Sequence, residues 1–396
     1  MSLESQISAL TGVVRSNKES LDYATRLKAI KAAYGLLAAL KSSAETVIHD
    51  VVRSVALPMT IRMGVQLDVF RIISNYQGQG TTIQQIAERS GASVLLVDQI
   101  MRLLAATGYV SETDIQTYEP SPLTSIMTDP IFEATARVCF DILNRCTTAA
   151  PEFFRKNNNQ LPRSARDTPF QLAMNTDLGY FDWLGHNPDL SRDFQQWMTL
   201  KRKSTPSWLD WFDVQGAFVD GFDSDSADDS VLIVDVGGGE GHYLRALKEK
   251  IPSLPGRLVL QDLPHVISSI KAPPRGVELM SYDFFTPQPV KGARAYYMHC
   301  ILHDWGDQQA REILRNTIDA MEPGYSRLII NEYIIPSKNC DLVLAYVSIT
   351  MMVQTGAFER SETQWRELLN SVGLRDITFH QPLRGGEGII EVIVTK

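Results

Sequence analysis

A run of glycines and three strand-end acids are the residues of this sequence best suited to bind a ligand. The apolar segment Val231–Val236 leads into Asp235-Val236-Gly237-Gly238-Gly239-Glu240-Gly241, and glycines at a strand-to-helix turn let the backbone approach a ligand closely. Asp262 closes the next apolar segment, where a carboxylate can accept hydrogen bonds from both hydroxyls of a ribose. Asp283 closes the third, and Phe284 beside it suits the edge and face of an adenine. Acids at three successive strand ends argue against simple helix caps and predict a nucleoside site.

The glycine run matches neither common phosphate-binding pattern. The dinucleotide pattern GxGxxG fails, because its third glycine falls on His242 when counted from Gly237 and on Leu244 when counted from Gly239. No GK[ST] follows, so the run is not a P-loop. Taken alone it is consistent with an ordinary tight turn, and the three acids carry the prediction.

Two histidines have a spacing that could bind zinc. His299 and His303 are four residues apart, as in helical zinc sites, but they lie at the end of a predicted strand and have no clear third ligand. The four cysteines show no CxxC or metal-finger spacing and are too few for a disulfide framework in so long a chain. We therefore predict no metal site and a cytoplasmic, reducing location.

The composition is that of a globular protein. Hydrophobic residues make up 44% and charged residues 21% of the 396 positions, which excludes a disordered chain, a collagen-like fibre and a coiled-coil rod. No apolar run approaches the ~20 residues of a membrane span, and the N-terminus lacks a signal-peptide pattern. The net charge of −8 should repel nucleic acid and anionic lipid.

The chemistry-bearing residues fall in a region where short apolar segments alternate with helical ones. Such alternation predicts an α/β fold with a mostly parallel, doubly wound sheet. The last two segments are joined by residues 384–388, too few for a helical crossover, so this pair should be antiparallel. The predicted strands are Val231–Val236, Arg257–Asp262, Val277–Asp283, Ala293–His299, Arg327–Tyr333, Ile377–Gln381 and Ile389–Thr395.

Residues 54–128 have the element order of a winged helix-turn-helix. A short helix over Ile83–Ser90 precedes a second over Val94–Thr107 and a hairpin over Glu112–Glu119. A DNA-recognition helix needs basic or amide side chains on its outer face. The second helix offers only Arg102, set against Asp98, which favours a packing or dimerisation module over a DNA-binding domain.

Three regions follow from these patterns. Residues 1–128 form a helical and winged-helix domain whose first 50 residues carry an apolar stripe that the rest of the chain or a second copy must cover. Residues 129–225 form a helical connector rich in aromatics, which could be core or could wall a pocket for a flat organic molecule. Residues 226–396 form the sheet domain.

Several separated motifs resemble those of the S-adenosylmethionine-dependent O-methyltransferases that act on plant phenylpropanoids and on plant and fungal polyketides. The similar segments are the glycine run, Gln261–Ile267 and Leu302-His303-Asp304-Trp305. Arg62–Phe70 and the winged helix after it resemble that family's N-terminal dimerisation domain. The resemblance implies a Rossmann-like seven-stranded sheet with an antiparallel last strand, S-adenosylmethionine as cofactor, a small-molecule acceptor and a homodimer.

The resemblance also implies a role for each matching residue. By position, the cofactor residues are Gly237, Gly238 and Gly239 at the methionine part, Asp262 at the ribose, Asp283 with Phe284 at the adenine, and His299. His299 is a departure, since the family usually has Lys or Arg there and histidine is shorter and largely neutral at pH 7. The implied catalytic residues are His303 as general base, flanked by Glu332 and Glu359.

The reaction explains why these residue types are needed. A phenol has a pKa near ~10, so its proton must leave as the oxygen attacks a methyl group, and a histidine with the ordinary pKa of ~6.5 can accept it at neutral pH. Some fungal relatives that resemble this chain keep the cofactor but catalyse dehydration or pericyclic reactions. That alternative should replace the base, whereas His303, Glu332 and Glu359 are all present.

Overall fold

The computed structural model describes residues 2–17, 20–75, 80–204, 207–223, 230–382 and 386–394. The chain forms two compact units that divide in sequence after Pro130. Residues 131–223 belong to the same unit as the sheet, while the boundary expected at residue 225 lies outside the described residues. The three-region division stays a prediction.

The first unit consists of helices and a small sheet. Its helices are α1 (Leu3–Asn17), α2 (Tyr23–Leu40), α3 (Ser43–Gln66), α4 (Val69–Ser74), α5 (Ile83–Ser90), α6 (Val94–Ala106) and α7 (Pro122–Met127). Its strands, in the order β1-β3-β2, are β1 (Thr81–Thr82), β2 (Val110–Asp114) and β3 (Thr117–Pro120). The winged-helix order is therefore present. Thr82 caps α5, because its side chain accepts the backbone N–H of Gln85.

The outer face of α6 is not equipped to read DNA. Arg102 is its basic residue, and its guanidinium lies 2.6 Å from the carboxylate of Asp98, which also accepts a hydrogen bond from the Gln116 side chain at 3.3 Å. The one cation of this helix is thus neutralised by its own helix, in agreement with a packing role.

The second unit is built on a seven-stranded sheet with the order β6-β5-β4-β7-β8-β10-β9. Strands β4 to β8 run parallel, and β10 is antiparallel to both β8 and β9. This topology confirms the predicted Rossmann-like α/β sheet with its antiparallel last strand. The strands are β4 (Val231–Val236), β5 (Arg257–Asp262), β6 (Glu278–Ser281), β7 (Ala295–His299), β8 (Arg327–Glu332), β9 (Asp376–His380) and β10 (Gly388–Ile393).

Helices pack on both faces of this sheet. The helices of the whole unit are α8 (Pro130–Val138), α9 (Arg145–Lys156), α10 (Pro169–Met174), α11 (Tyr180–Gly185), α12 (Pro188–Ser204), α13 (His242–Lys250), α14 (Pro264–Ser269), α15 (Asp307–Ile318), α16 (Leu342–Gln354) and α17 (Glu362–Ser371). Ile313 of α15 and Leu368 of α17 join the apolar core on one face. Leu244 of α13 joins Trp208 and Phe218 on the other. Burial on both faces explains why β4 is apolar along its whole length except at Asp235.

The carboxyl ends of the central parallel strands place the site. Strand order reverses at β4, between β5 and β7, and ligands of open α/β sheets bind in the crevice at such a switch point. Asp262, His299 and Glu332 end β5, β7 and β8, so they meet at one edge of the sheet. Among the described residues, no helix combines the length and the apolar character needed to cross a membrane.

Candidate active site

The glycine loop after β4 is shaped by close approach. Gly237 has a φ of +71° and would place a Cβ 2.5 Å from Cδ1 of Ile301, so a side chain at this position would be both strained and obstructed. At Gly238 a Cβ would overlap the Asp235 carboxylate. The loop is anchored to the next strand, because the N–H groups of Gly237 and Gly238 both donate to the Gln261 carbonyl at 2.8 and 3.1 Å.

Two aspartates lie against this loop, one with hydrogen-bond partners and one without. Asp262 accepts the N–H of Gly239 at 2.8 Å and that of Leu263 at 2.7 Å. Burial raises the pKa of Asp262, and these two hydrogen bonds oppose the rise. Asp235 is almost completely buried, and neither of its carboxylate oxygens has a hydrogen-bond partner. Burial, with the nearby charge of Asp262, raises the pKa of Asp235 to about 8. A buried carboxylate without a partner is costly and calls for a cationic group.

Asp283 and Phe284 follow β6 and reach the same edge. Asp283 is exposed, and its carboxylate accepts the N–H of Phe285 at 3.0 Å. The Phe284 ring stacks edge-on against Trp305 at 5.8 Å, and its edge lies 3.8 Å from where a Cβ on Gly237 would stand. An aromatic face and an exposed acid are therefore available beside the glycine loop.

His299 ends β7 and belongs to a network that the sequence did not predict. Its Nε2 lies 2.7 Å from Oε2 of Glu387 and 3.1 Å from the Tyr243 hydroxyl. Cys300, in the left-handed region at φ +50°, places its Sγ 3.5 Å from the same nitrogen and donates to Glu387. Two groups of side chains among the described residues are close enough together to bind a metal ion. One is His299, Cys300 and Glu387, and the other is Cys300, His303 and Glu332. Hydrogen bonds already account for both groups, and the absence of a metal stays a prediction.

A cavity connects the glycine loop to the helical connector. It is lined by Gln195, Arg202, Asp235, Gly237, Gly238, Gly239, Glu240, His242, Tyr243 and His299. A larger, open cleft of about 640 Å³ has Lys156, Arg166 and Asn175 in its wall and contains none of the predicted site residues. We assign the site to the first cavity, because Asp235, the three glycines and His299 line it.

The predicted base lies in a buried cluster of acids. His303 is on a 3₁₀ turn (Leu302–Asp304) directly after β7 and is 5% exposed. Its Nδ1 lies 2.7 Å from Oε1 of Glu359 and 3.7 Å from Oε2 of Glu332. Glu359 is therefore the direct partner of the imidazole, and the nearest charged group to Nε2 is the Asp304 carboxylate at 3.8 Å.

Glu332 holds the turn more than it holds the ring. Its Oε1 accepts three backbone N–H groups, from Ile301 at 3.0 Å, Leu302 at 2.9 Å and His303 at 3.3 Å. The fully buried Arg360 binds the other side of the turn: it donates to the carbonyls of Leu302 and Trp305, each at 2.8 Å. We call this arrangement the turn clamp, meaning residues 301–305 held between Glu332 and Arg360.

The same acids change the acidity of the base. Desolvation lowers the pKa of His303, but the charges of Glu359, Glu332 and Asp304 outweigh it and raise that pKa to about 10. Burial raises the pKa of Glu332, while the imidazolium opposes the rise. The ordinary histidine pKa assumed from the sequence therefore does not hold here, because sequence gives no measure of how close three carboxylates come.

Ile301 connects the base to the glycine loop. Its N–H donates to Glu332, and its side chain covers Gly237. The structure thus brings His303, Glu332 and Glu359 together in one cluster and sets it beside Gly237, Gly238, Gly239, Asp262 and Phe284. Asp283 is adjacent through Phe284, and His299 lines the cavity from the end of β7.

The aromatic connector contributes both core and site. Phe170 and Tyr180 are buried, with ring centroids 5.2 Å apart, and belong to a cluster with residues of α8 and α9. The Tyr180 hydroxyl is buried, and its pKa is raised by burial and by the charges of Cys146 and Asp304. The connector also lines the cavity beside the glycine loop, through Gln195 and Arg202 of α12.

Sequence reasoning missed four residues of this site. Arg360 directly follows Glu359 in the sequence, but only the fold shows that it binds a distant turn. The sequence places Asp235 at a strand end but does not show that its carboxylate has no hydrogen-bond partner. Glu387 and Arg202 carry no motif and come from a short loop and a connector helix.

Arg360→Met should test the turn clamp. Losing the guanidinium leaves two buried carbonyls and the Asp307 carboxylate without their partner, so we expect the free energy of unfolding to fall by about 2–4 kcal/mol. The measurement is urea unfolding followed by circular dichroism. Arg366→Met is the matched control, because Arg366 forms an exposed pair with Glu362 and should cost less than about 1 kcal/mol. Equal losses in the two variants would contradict the clamp.

Two family descriptions match the chain. Residues 224–375 match an O-methyltransferase domain, and residues 49–129 match an O-methyltransferase dimerisation domain. Among curated proteins, the methyltransferase cfoC of Aspergillus candidus is 37% identical over 80% of this chain and 78% of its own. The demethylsterigmatocystin 6-O-methyltransferase of Aspergillus parasiticus is 35% identical over 80% of each chain.

Solved structures share the fold of this chain, and one of them is an enzyme of another type. The structure of LepI in complex with S-adenosylmethionine is 30% identical, covers all of both chains and has a TM-score of 0.87; a structure described as a pericyclic reaction enzyme is equally similar. OxaC, at 23% identity and a TM-score of 0.83 over 99% of this chain and 98% of its own, shares the fold. The resemblance seen in the motifs is confirmed, and the chain belongs to the family of S-adenosylmethionine-dependent O-methyltransferases.

Proposed function

We propose that this enzyme methylates a phenolic or enolic hydroxyl of a small aromatic or polyketide-type metabolite, with His303 as general base. The observation that carries the proposal is the intact base cluster: His303 with Nδ1 bonded to Glu359, on a turn that also covers the glycine loop. The acceptor class is supported by the similarity of the chain to the demethylsterigmatocystin 6-O-methyltransferase.

The residues around the glycine loop fit the cofactor. Gly237, Gly238 and Gly239 lack the side chains that would block a close ligand. Asp235 presents a buried carboxyl group without a hydrogen-bond partner, which a neighbouring cationic amino group would keep ionised. Each oxygen of Asp262 accepts one backbone N–H and has a lone pair left for a ribose hydroxyl. Asp283 and Phe284 are assigned to the adenine, and His299 to the wall of the cavity.

The mechanism rests on alignment and one proton transfer. The bound cofactor supplies a methyl group already activated by its sulfonium, so the protein mainly has to align the acceptor oxygen with it. In the neutral imidazole, Nδ1–H of His303 donates a hydrogen bond to Glu359, which fixes the tautomer with a lone pair on Nε2. Nε2 then removes the hydroxyl proton as the oxygen attacks, and Glu359 and Glu332 stabilise the imidazolium that forms.

The first unit is assigned to pairing with a second copy. Helix α1 has no buried residue, and large apolar side chains of all three N-terminal helices are exposed, among them Leu10, Ile30, Tyr34, Val51 and Val55. The match to a dimerisation domain supports a homodimer as the form that covers them. None of the four cysteines forms a disulfide, which agrees with a cytoplasmic location.

A pericyclic or dehydrating activity is the second candidate. It is favoured by the 30% identity to LepI along the whole chain. The buried triad of His303, Glu332 and Glu359 argues for methyl transfer, since a base held this way is needed to deprotonate a hydroxyl.

His303→Gln should remove the base and keep the site. We expect folding and cofactor affinity to be unchanged and methylation of simple phenols to fall by about 10²–10⁴-fold. The loss should be smallest for vinylogous acids, which ionise unaided at neutral pH. Product masses and rates with labelled S-adenosylmethionine give the answer, and calorimetry controls for cofactor binding.

Two results would decide against this mechanism. Undiminished methylation of simple phenols by the variant would exclude His303 as base. Wild-type protein that binds the cofactor, transfers no methyl group and converts an acceptor to an isomer of equal mass would establish the pericyclic candidate.

The pH dependence should report the acids around the base. Because the pKa of His303 is raised to about 10, the ring is protonated at neutral pH and the methylation rate should climb as pH rises toward that value. Glu359→Gln removes the hydrogen-bonded charge, so the midpoint of the rate profile should move to lower pH. Rates from pH 6 to 9 on an alkyl-substituted phenol, which stays mostly un-ionised below its own pKa of ~10, test this. Equal midpoints in wild type and variant would be inconsistent with it.

The oligomeric state should follow the apolar faces of α1 to α3. Light scattering at micromolar concentration should give about twice the chain mass of 44.3 kDa. Val55→Asp, at a side chain that is 72% exposed, should weaken pairing because it places a charge in the apolar contact. Ile115→Asp, an equally drastic change at an exposed hairpin residue outside these faces, is the control. A monomeric wild-type protein would refute the homodimer.

A further inference from the structure

A carboxyl group and a guanidinium that form no ion pair with any described residue line the cavity beside the glycine loop. Asp235 is buried and without a hydrogen-bond partner. Arg202, on α12, is partly buried, and its guanidinium donates a hydrogen bond to the Thr199 hydroxyl of its own helix at 2.8 Å. Among the described side chains, no carboxylate forms an ion pair with it. Burial lowers the pKa of the guanidinium, while Tyr243 and Glu240 raise it, and arginine remains charged in proteins.

The other charged groups of the cavity already have partners. Glu240 lies 3.5 Å from the His242 ring, and His299 is bonded to Glu387. Arg202 is thus the cation of this cavity that is available to an external anion, and the amino acid end of the cofactor carries both an ammonium and a carboxylate group.

We infer that Arg202 binds the α-carboxylate of the cofactor. The inference rests on the proposed function, whose glycine loop holds the methionine part. The planar guanidinium can bind a carboxylate through two parallel hydrogen bonds. This role of Arg202 also explains how the site can have His299 where the family usually has Lys or Arg. Arg202 of the connector helix α12 lines the same cavity and supplies the cation that His299 does not. The helical connector then contributes to the cofactor site as well as to the acceptor pocket.

The decisive comparison uses two ligands that differ only in this group. Calorimetry on the full-length protein would measure S-adenosylmethionine and its decarboxylated analogue, which keeps the ammonium, the sulfonium and the adenosine. For Arg202→Gln we expect S-adenosylmethionine to bind about 10- to 100-fold more weakly, the usual effect of losing charge-assisted hydrogen bonds, and the analogue to bind as it does to wild type. Arg202→Lys should recover part of the difference.

Two matched variants separate this role from general damage. Arg192→Gln, on the same helix but exposed and paired with Asp189, should leave both affinities unchanged. Asp262→Asn, at the ribose, should weaken both ligands by the same factor. The inference is overturned if Arg202→Gln weakens the two ligands equally or neither of them. Failure of wild type to bind S-adenosylmethionine at all would instead overturn the proposed cofactor site.

Discussion

The turn between β7 and α15 is the constraint on which the rest of the site depends. Residues 301–305 have their N–H groups bound by Glu332 and their carbonyls bound by Arg360, so a charged side chain holds each side of the backbone. Glu332 comes from the end of a neighbouring strand. Arg360 comes from the segment that pairs with residues after that strand, through the bridge between Ile335 and Ser361. The sheet thereby fixes the base, and Ile301 passes the same constraint to the glycine loop.

Such a cluster is expensive, and its composition reflects that cost. Removing several charges from water destabilises a protein unless each is paired and hydrogen-bonded. Glu332, Glu359, His303 and Arg360 are all buried, and each finds partners within the cluster. Buried oxygens of Glu332 and Glu359 nevertheless have no hydrogen bond. Their negative charge raises the pKa of His303 and would stabilise the imidazolium at the moment the proton arrives. The buried negative charges that destabilise the fold are therefore the same charges that would favour proton transfer to His303.

The sequence predicted the features that depend on local pattern. The periodicity of the apolar residues, together with the glycines and capping residues that bound each element, located α5, α6 and the seven strands to within a few residues. The short connection before β10 correctly implied an antiparallel pair. Leu342–Gln354 was not predicted as a helix, because it is apolar on nearly all sides and has no helical period. The site residues with motifs were placed at one edge. Arg202, Glu387 and the grip of Arg360 were not, since they depend on distances between segments far apart in the chain. The acidity of His303 was misjudged for the same reason.

Fold and overall similarity do not distinguish the two activities known among the relatives, since LepI and this chain share the architecture over their full length. The difference must lie in a few side chains at the end of β7. A fixed positive sulfonium can assist either reaction, but methyl transfer to a hydroxyl needs a group that removes a proton as the oxygen attacks, and a pericyclic step does not. A histidine whose Nδ1 is held at 2.7 Å by one buried carboxylate, on a turn held by another, suits the proposed proton transfer. A pericyclic rearrangement creates no proton to be taken up, and it would leave this costly cluster without a purpose.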